Sequence, residues 1–576
     1  MGIMNNSAEQ LFGQGVKRTQ GEQSRRYNLL AARLIADLVK NLLGPGGLEK
    51  MFIDILGEVT VTKDGATILR KIDVEHPAAK VLIEASNTVD NEVGDGTTSV
   101  VVLAGALVEK AEELLDLGVA PTTIVEGYLT GLQISLKSLQ NISKRYTNNN
   151  REVIRGLTDT CMRPKMISYT SFEDNVIPRL VVDAAYSVAD FANSRFEPDD
   201  IKIEEKIGNT SDTRLVNGVV IDKTIDNFAM PRSIENAKIL LIDEELENKR
   251  TRTDAAITIT SPNQIQSYLE KELLVTTLKV KHIVRSGANV VISQKGISIP
   301  AQTYLSKAGI ISIRRVKEND IHWLKKATEA EVIRDLNKDI SPRHLGCAER
   351  VYEKFVGDDK MVFVEGCENP KSMTILLRAS SKQLLDEYHR SVLDAIAVIR
   401  SFILEPSIVG GGGSAEMLIA NNVRKKANSI RGREQIVLQK FAAALEEIPL
   451  TIARNAGMNT IDALAELRSK QKQYHSSTSK GKNVRWIGID AIERKIAETY
   501  SQRMIEPSAV KEQIIKTAVE VTTLLIRVDD VLIAKPVMYT HTHADGIRHS
   551  HAGGDGKHDH HFDKLGKRQR PAHHFY

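Results

Sequence analysis

Apolar residues in this chain recur in long blocks at helical spacing, with shorter strand-like runs between them. From Glu22 to Leu43, residues Leu30, Leu34, Leu38 and Leu42 fall at every fourth position and predict a helix with one apolar stripe. Gly44-Pro45-Gly46-Gly47 stops it and leaves backbone amides exposed. Glu58–Thr62 alternates as a strand and turns at Lys63-Asp64-Gly65, where Asp64 also fits an ordinary Asp-Gly turn. Helical patterns cover Ala78–Asp90, the stretch from Thr97 through the apolar run Val100–Val108, and Pro121 to about Ser143. Asn148–Asn150 marks a loop and a domain edge. Further on, Ala237–Asp243, Asn289–Ser293, Gly309–Ile313 and Met361–Val364 are short β-like runs alternating with helical segments, an α/β layer pattern. Ser261-Pro262-Asn263-Gln264 is a capping box before a helix reaching towards Ile283; the caps alone specify only a helix.

One more helical block places a charge. In 380–403, Leu385, Tyr388, Val392, Ile396, Ile399 and Ile403 share one face. Asp394 is two residues from both Val392 and Ile396, about 200° around the helix, so it lies opposite that stripe. A solvated aspartate on the outer face of an amphipathic helix fits the same pattern. At the chain's edges the pattern fades. Residues 1–20 read as a loose arm, Ser469–Lys482 as a surface loop, and 541–576 as a disordered tail. That tail carries nine of the fifteen histidines, a composition equally consistent with weak metal binding and with a plain solvated segment.

The most specific string is Val93-Gly94-Asp95-Gly96-Thr97-Thr98-Ser99. Its glycines permit a tight turn, and the free N–H groups of the helix starting at Thr97 form a phosphate cradle. Asp95, the one charge in the loop, suits Mg²⁺, a hard cation that takes oxygen ligands. Gly-Asp-Gly alone fits a capped turn just as well; the full string before a long apolar helix is more specific. No G-x-x-x-x-G-K-[ST] string occurs, which excludes a P-loop.

Bulk properties narrow the class. With 576 residues the chain has room for several domains. Lys and Arg (78) nearly balance Asp and Glu (74), giving no electrostatic footprint for nucleic acid. Cys161, Cys347 and Cys367 are too scattered for disulfide or zinc spacing, which points to a reducing, cytoplasmic setting. Neither a secretory leader nor an apolar run of membrane-spanning length is present.

LLGPGGLEKM (42–51), VTVTKDGATILRKIDVEHPAAK (59–80) and NEVGDGTTSVVVLAGALVEKAEELL (91–115) resemble the nucleotide-binding domain of group II chaperonins, the thermosome and eukaryotic cytosolic chaperonin family. The similarity runs on through GANVVISQKGI, VGDDKMVFVEGCENPKSMTILLRAS, NAGMNTIDALAELRS and LLIRVDDVLIAKP, so it spans roughly residues 20–536. It implies a multidomain chaperonin fold. A mostly helical equatorial domain (1–155 and 408–540) would be joined by an α/β intermediate domain (156–224 and 375–407) to an α/β apical domain (225–374). A helical lid protrusion would occupy about 247–282, and the tail follows from 541. It also implies an ATP- and Mg²⁺-dependent folding ATPase in two stacked rings, made with copies of itself or paralogues. Such a ring acts on unfolded clients and has no separate cap protein.

The resemblance assigns Asp95 to Mg²⁺, and Gly44, Pro45, Gly96, Thr97, Thr98 and Ser99 to the phosphates. It puts Gly411 and Gly412 against the nucleotide with Asp490 nearby, makes Lys165 the sensor of the γ-phosphate, and gives water activation to Asp394 helped by Asp64. Before the resemblance is applied, Lys165 reads equally as a solvated lysine and Gly410–Gly413 as a flexible linker. Glu498 stands where the family has an aspartate near the ribose, one methylene longer. A different class of function, a ring component that binds clients without hydrolysing ATP, is disfavoured by the intact GDGTT, KDG and Asp394.

Overall fold

The computed structural model describes residues 17–165, 176–247, 262–368, 370–477, 486–533, 538–542 and 548–552. These form two units. In the smaller, drawn from residues up to 26 and from 528 onward, Lys17–Gln20 pairs antiparallel with Asp530–Ile533, and Arg18 bonds Asp530 at 2.6 Å. The end of the expected N-terminal arm is therefore a strand. Met538–Thr542 and Arg548–Ala552 likewise pair as an antiparallel ladder where a structureless tail was expected; 553–576 lies outside the described residues.

Among its described residues the larger unit, 27–527, contains a helical layer and three sheets of three or more strands. Thr97–Asp116 is at the centre of the helical layer, packed by Pro77–Val93, Arg433–Asn455 and Ser508–Arg527. Every residue from Ser99 to Val108 is buried, as a helix that is apolar all round must be. The helix Gly21–Lys40 buries Leu29, Ala32, Ala36 and Val39; of the predicted leucine stripe Leu42 is buried and Leu38 packs against the core, while Leu30 and Leu34 are exposed. Small side chains decide this. A Cβ on Gly105 would come within 2.2 Å of the Ala36 Cβ, so the Ala face is the one that allows such close helix approach.

The largest sheet has seven strands and draws its path from residues 218–365. Ser233–Ile242, Val290–Ser293 and Ile311–Ile313 run parallel, and Gly346–Val356, Asp359–Glu365 and Gly218–Ile221 extend it antiparallel. Val290, Val291 and Ile292 are all fully buried, the continuous apolar run of a parallel strand covered on both faces. The helix Pro262–Ser286 packs its C-terminal part there through Val280 and Ile283. Its expected Ser261 cap and 248–261, the first part of the expected lid segment, lie outside the described residues.

A three-stranded sheet pairs Met373–Ala379 parallel to Ile201–Ile207 and antiparallel to Arg214–Val216. It leads into the helix Lys382–Leu404, N-capped by Ser381 and packed on Arg151–Met162 and Val176–Val188. All six residues of the predicted stripe, from Leu385 to Ile403, are buried. A second three-stranded sheet, of Lys144–Arg145, Ser407–Gly410 and Ile505–Pro507, ties together segments distant in sequence. Thr460–Ser477 is helical, so the surface loop expected from Ser469 begins no earlier than 478, where the described residues stop.

Candidate functional site: a cleft lined by Gly-Asp-Gly-Thr-Thr

Two glycines set the turn. Gly94 (φ +69°) ends the helix Pro77–Val93, and Gly96 (φ +85°) precedes the helix Thr97–Asp116. That helix has no side-chain cap, so its first amides face the cleft with donor capacity to spare. The Asp95 carboxylate accepts the Gly96 N–H at 2.7 Å.

Asp64 reaches the same cleft from the strand-turn before it. It caps the short helix Gly65–Lys71, accepting from the N–H groups of Ala66 (3.2 Å) and Thr67 (2.8 Å) and from the hydroxyls of Thr67 (2.6 Å) and Thr97 (3.1 Å). Burial alone would raise its carboxyl. The Thr67 bonds, the Lys165 charge and the Thr97 hydroxyl outweigh burial and hold the carboxyl below the usual aspartate range. Asp64 is thus both the turn residue that its sequence context suggests and a charged wall of the cleft.

The cleft encloses about 1130 Å³ including its mouth. Gly44, Pro45, Asp64, Asp95, Gly96, Thr97, Thr98, Ser99, Lys165, Asp394, Gly412 and Asp490 all line it. Gly412 (φ +61°) is held by Ile489, whose N–H donates to its carbonyl at 2.9 Å; a Cβ there would meet the Ile489 oxygen at 2.5 Å. Gly411 does not line the cleft, its amide being tied to the Met504 carbonyl. Glu498 does not line it either: it lies in Lys495–Glu498, the strand paired with Ile487–Asp490. The extra methylene does not bring its carboxylate into the wall.

Asp394, opposite the buried stripe as the helix geometry requires, faces this cleft and is 20 % exposed. Lys165, just past the helix Arg151–Met162, forms an ion pair with it. Burial pushes the Asp394 carboxyl up to about 7; Asp64 and Asp95 add to the rise and Lys165 opposes it. Burial would lower the Lys165 ammonium, but Asp394, with Cys161 and Asp95, raises it well above the usual lysine range. In this pair the lysine keeps its proton and the aspartate titrates near neutrality.

Several wall residues carry no local signal in sequence. Lys63 is buried, donates to the Pro45 carbonyl at 3.3 Å, and is lowered to about 8 by burial. Lys511, from the helix Ser508–Arg527, pairs with Glu416 at 2.7 Å and Glu506 at 2.6 Å. Ile448, Ile452, Ile489 and Met504 supply an apolar side suited to a flat ring. Only the KDG triplet hinted at one of these, since a lysine beside the turn aspartate is already near the cleft.

Residues 35–536 match the sequence pattern of the TCP-1/cpn60 chaperonin family. The chain belongs to that family. This chaperonin is 43% identical to thermosome subunit alpha of Archaeoglobus fulgidus over 528 residues, covering 91% of this chain and 94% of the relative. Thermosome subunit alpha of Aeropyrum pernix is 42% identical (91% and 93% covered), and thermosome subunit beta of A. fulgidus 42% (91% and 94%). Thermosome subunits are group II chaperonins, and this chaperonin falls with them. Among its described residues no helix is long and apolar enough to cross a membrane.

Proposed function

We propose that this group II chaperonin subunit hydrolyses ATP and couples hydrolysis to closing a built-in lid over a folding chamber. The observation that carries this is the convergence of Asp394 and Lys165 on the cleft that also holds Asp64, Asp95 and the Thr97–Ser99 amides. In this reading the helical layer is the equatorial domain and the segment bearing Asp394 belongs to the intermediate domain. The seven-stranded sheet is then the apical domain, with the lid at about 247–282.

The cleft fits a nucleotide bound with Mg²⁺. Its polar wall offers hard oxygen donors, and among the described residues no three His, Cys, Asp or Glu side chains form a metal cage. That donor set suits a cation shared between one protein carboxylate and phosphates, with Asp95 as the protein's ligand. Mg²⁺ there would neutralise phosphate charge during transfer to water. The Thr97–Ser99 amides and the Gly44-Pro45 turn would position the phosphates, and Asp490 with the Gly412 backbone the nucleoside side.

Asp394 would orient and deprotonate the attacking water, supported by Asp64. A carboxyl near 7 is well matched to general-base work at neutral pH. Lys165 would sense the γ-phosphate while still paired with Asp394, and its charge would hold the carboxylate ionised for this work. By the same reading, subunits assemble with copies or paralogues in two stacked cytoplasmic rings, act on unfolded clients, and use no separate cap, nucleic acid or membrane.

Steady-state ATP hydrolysis by purified rings, with and without Mg²⁺, tests the reading. Mg²⁺-dependent turnover is expected. A ring that binds ATP without hydrolysing it would instead be a structural or client-binding component.

A further inference from the structure

The two carboxylates assigned to water activation come from segments that meet nowhere else in sequence: Asp64 from a strand-turn, Asp394 from the helix Lys382–Leu404. A buried hydrogen-bond chain ties the Asp64 turn to Glu387, on the helix that carries Asp394. The Thr62 hydroxyl donates to Glu387 Oε2 at 2.8 Å, across 325 residues of sequence. The same hydroxyl oxygen accepts the backbone N–H of Asp64 at 3.0 Å. On the other side, Arg390 donates to Glu387 Oε2 through Nη2 at 2.8 Å and Nε at 3.3 Å. Thr62 is 1 % exposed and Glu387 2 %.

The helix supplies the geometry. Glu387 is seven residues before Asp394, two turns, and so lies on nearly the same face of the same rigid element. Wherever Glu387 is fixed, Asp394 is fixed as well. Thr62 is two residues before Asp64, and its oxygen holds the Asp64 amide directly. A buried carboxylate is tolerated only while its oxygens are satisfied, so Glu387 favours the arrangement in which Thr62 and Arg390 both reach it. Neither Thr62 nor Glu387 lines the cleft.

We infer that the Thr62–Glu387 hydrogen bond is a registration latch, which forms when the segment bearing Asp394 swings onto the Asp64 turn and sets the two carboxylates in place together. Thr62 and Glu387 are positioning residues for hydrolysis, and the inference rests on the ATPase reading above. The latch makes closure, rather than nucleotide binding, the step that completes the site.

The test uses assembled rings. Thr62→Val keeps the shape and removes the hydroxyl. It is expected to leave ATP affinity unchanged and to slow single-turnover hydrolysis by at least about tenfold, the size of one hydrogen bond to a charged group. Thr62→Ser restores the hydroxyl and should restore the rate, which a packing role for the methyl would not. Glu387→Gln, a weaker neutral acceptor, should fall between, and it decides the matter if Thr62→Val rings do not assemble. A wild-type rate in Thr62→Val, or in Glu387→Gln when only that variant assembles, overturns the latch. Asp394→Ala run alongside separates the two claims. If it too hydrolyses at the wild-type rate, the ATPase assignment has failed; if it is inactive while Thr62→Val is normal, only the latch has.

Discussion

Lys165 and Asp394, 229 residues apart in the chain, form an ion pair in the wall of one cleft. Neither residue belongs to the Gly94–Gly96 turn; Lys165 follows the helix Arg151–Met162 and Asp394 lies on Lys382–Leu404. The pair therefore depends on how those segments are brought onto the cleft, and it gives the proposed chemistry a conformational requirement.

Asp394→Ala should spare nucleotide affinity, because the phosphates and metal are assigned to the Thr97–Ser99 amides and Asp95. Losing a positioned general base lowers the rate by roughly 10²–10⁴-fold, about 3–5 kcal/mol of barrier. Asp95→Ala should instead weaken binding and turnover together, since it removes the proposed protein ligand of the metal. Equilibrium ATP binding and single-turnover hydrolysis on the same rings separate the two. Near-normal hydrolysis in Asp394→Ala would return that residue to a helix-face aspartate with no part in the chemistry.

The pH profile carries a sign. A protonated Asp394 cannot take a proton from water, so hydrolysis should rise with pH through about 7 and then level off. Lys165 lowers the Asp394 carboxyl, so Lys165→Met should move this rising limb to higher pH. Asp64 raises it, so Asp64→Asn should move the limb to lower pH while also slowing the plateau. The apparent pKa of the single-turnover rate in the three proteins checks both directions; shifts of the same sign would exclude Asp394 as the titrating group.

The segment proposed as the lid can be removed without touching the sheet. Val280 and Ile283 are buried in the sheet's core, and Lys279 is ion-paired with Glu244, so the base of the helix must stay. Replacing 248–272 by a short flexible linker should leave ATP hydrolysis in place and abolish protease protection of an enclosed client. Protection at the wild-type level in this variant would rule out the segment as the lid.

Gly412→Ala tests the proposed nucleotide site through the backbone. A left-handed conformation at a non-glycine residue carries about 1–3 kcal/mol of strain, and here the added Cβ would also press on the Ile489 carbonyl. ATP affinity should fall while ring assembly persists. Calorimetric titration with ATP reads the loss; unchanged affinity would place the nucleotide away from this loop.

The sequence revealed what local chemistry encodes. GDGTTS announces its turn and helix, and the 3.6-residue period puts Asp394 opposite Val392 and Ile396, where it faces the cleft. Local pattern failed where packing chooses between alternatives. In Gly21–Lys40 an Ala-containing face competes with a Leu stripe, and Gly105 on the neighbouring helix admits the smaller side chains. Ser469–Ser477 is polar enough to read as a loop, yet it continues a helix begun at Thr460. Lys63, Lys511 and the Ile448–Ile452 wall belong to the cleft only through tertiary placement, which no short string records. Glu498 lies on the strand Lys495–Glu498 and outside the cleft wall, a placement that its position in the motif does not record.

The cleft wall begins at Leu42 and its last member is Lys511, which sets an order of events at the ribosome. The seven-stranded sheet, drawn from one continuous stretch, can fold as soon as residue 365 or so has emerged, as domains generally do during synthesis. The helix Thr97–Asp116 cannot be covered so early. Its partners Arg433–Asn455 and Ser508–Arg527 are translated hundreds of residues later, and until then the apolar run Val100–Val108 lacks most of its cover. Exposed apolar surface of this kind is what drives aggregation of unfinished chains. A nascent copy of this subunit is thus, for most of its own synthesis, the kind of client that its finished rings are proposed to enclose.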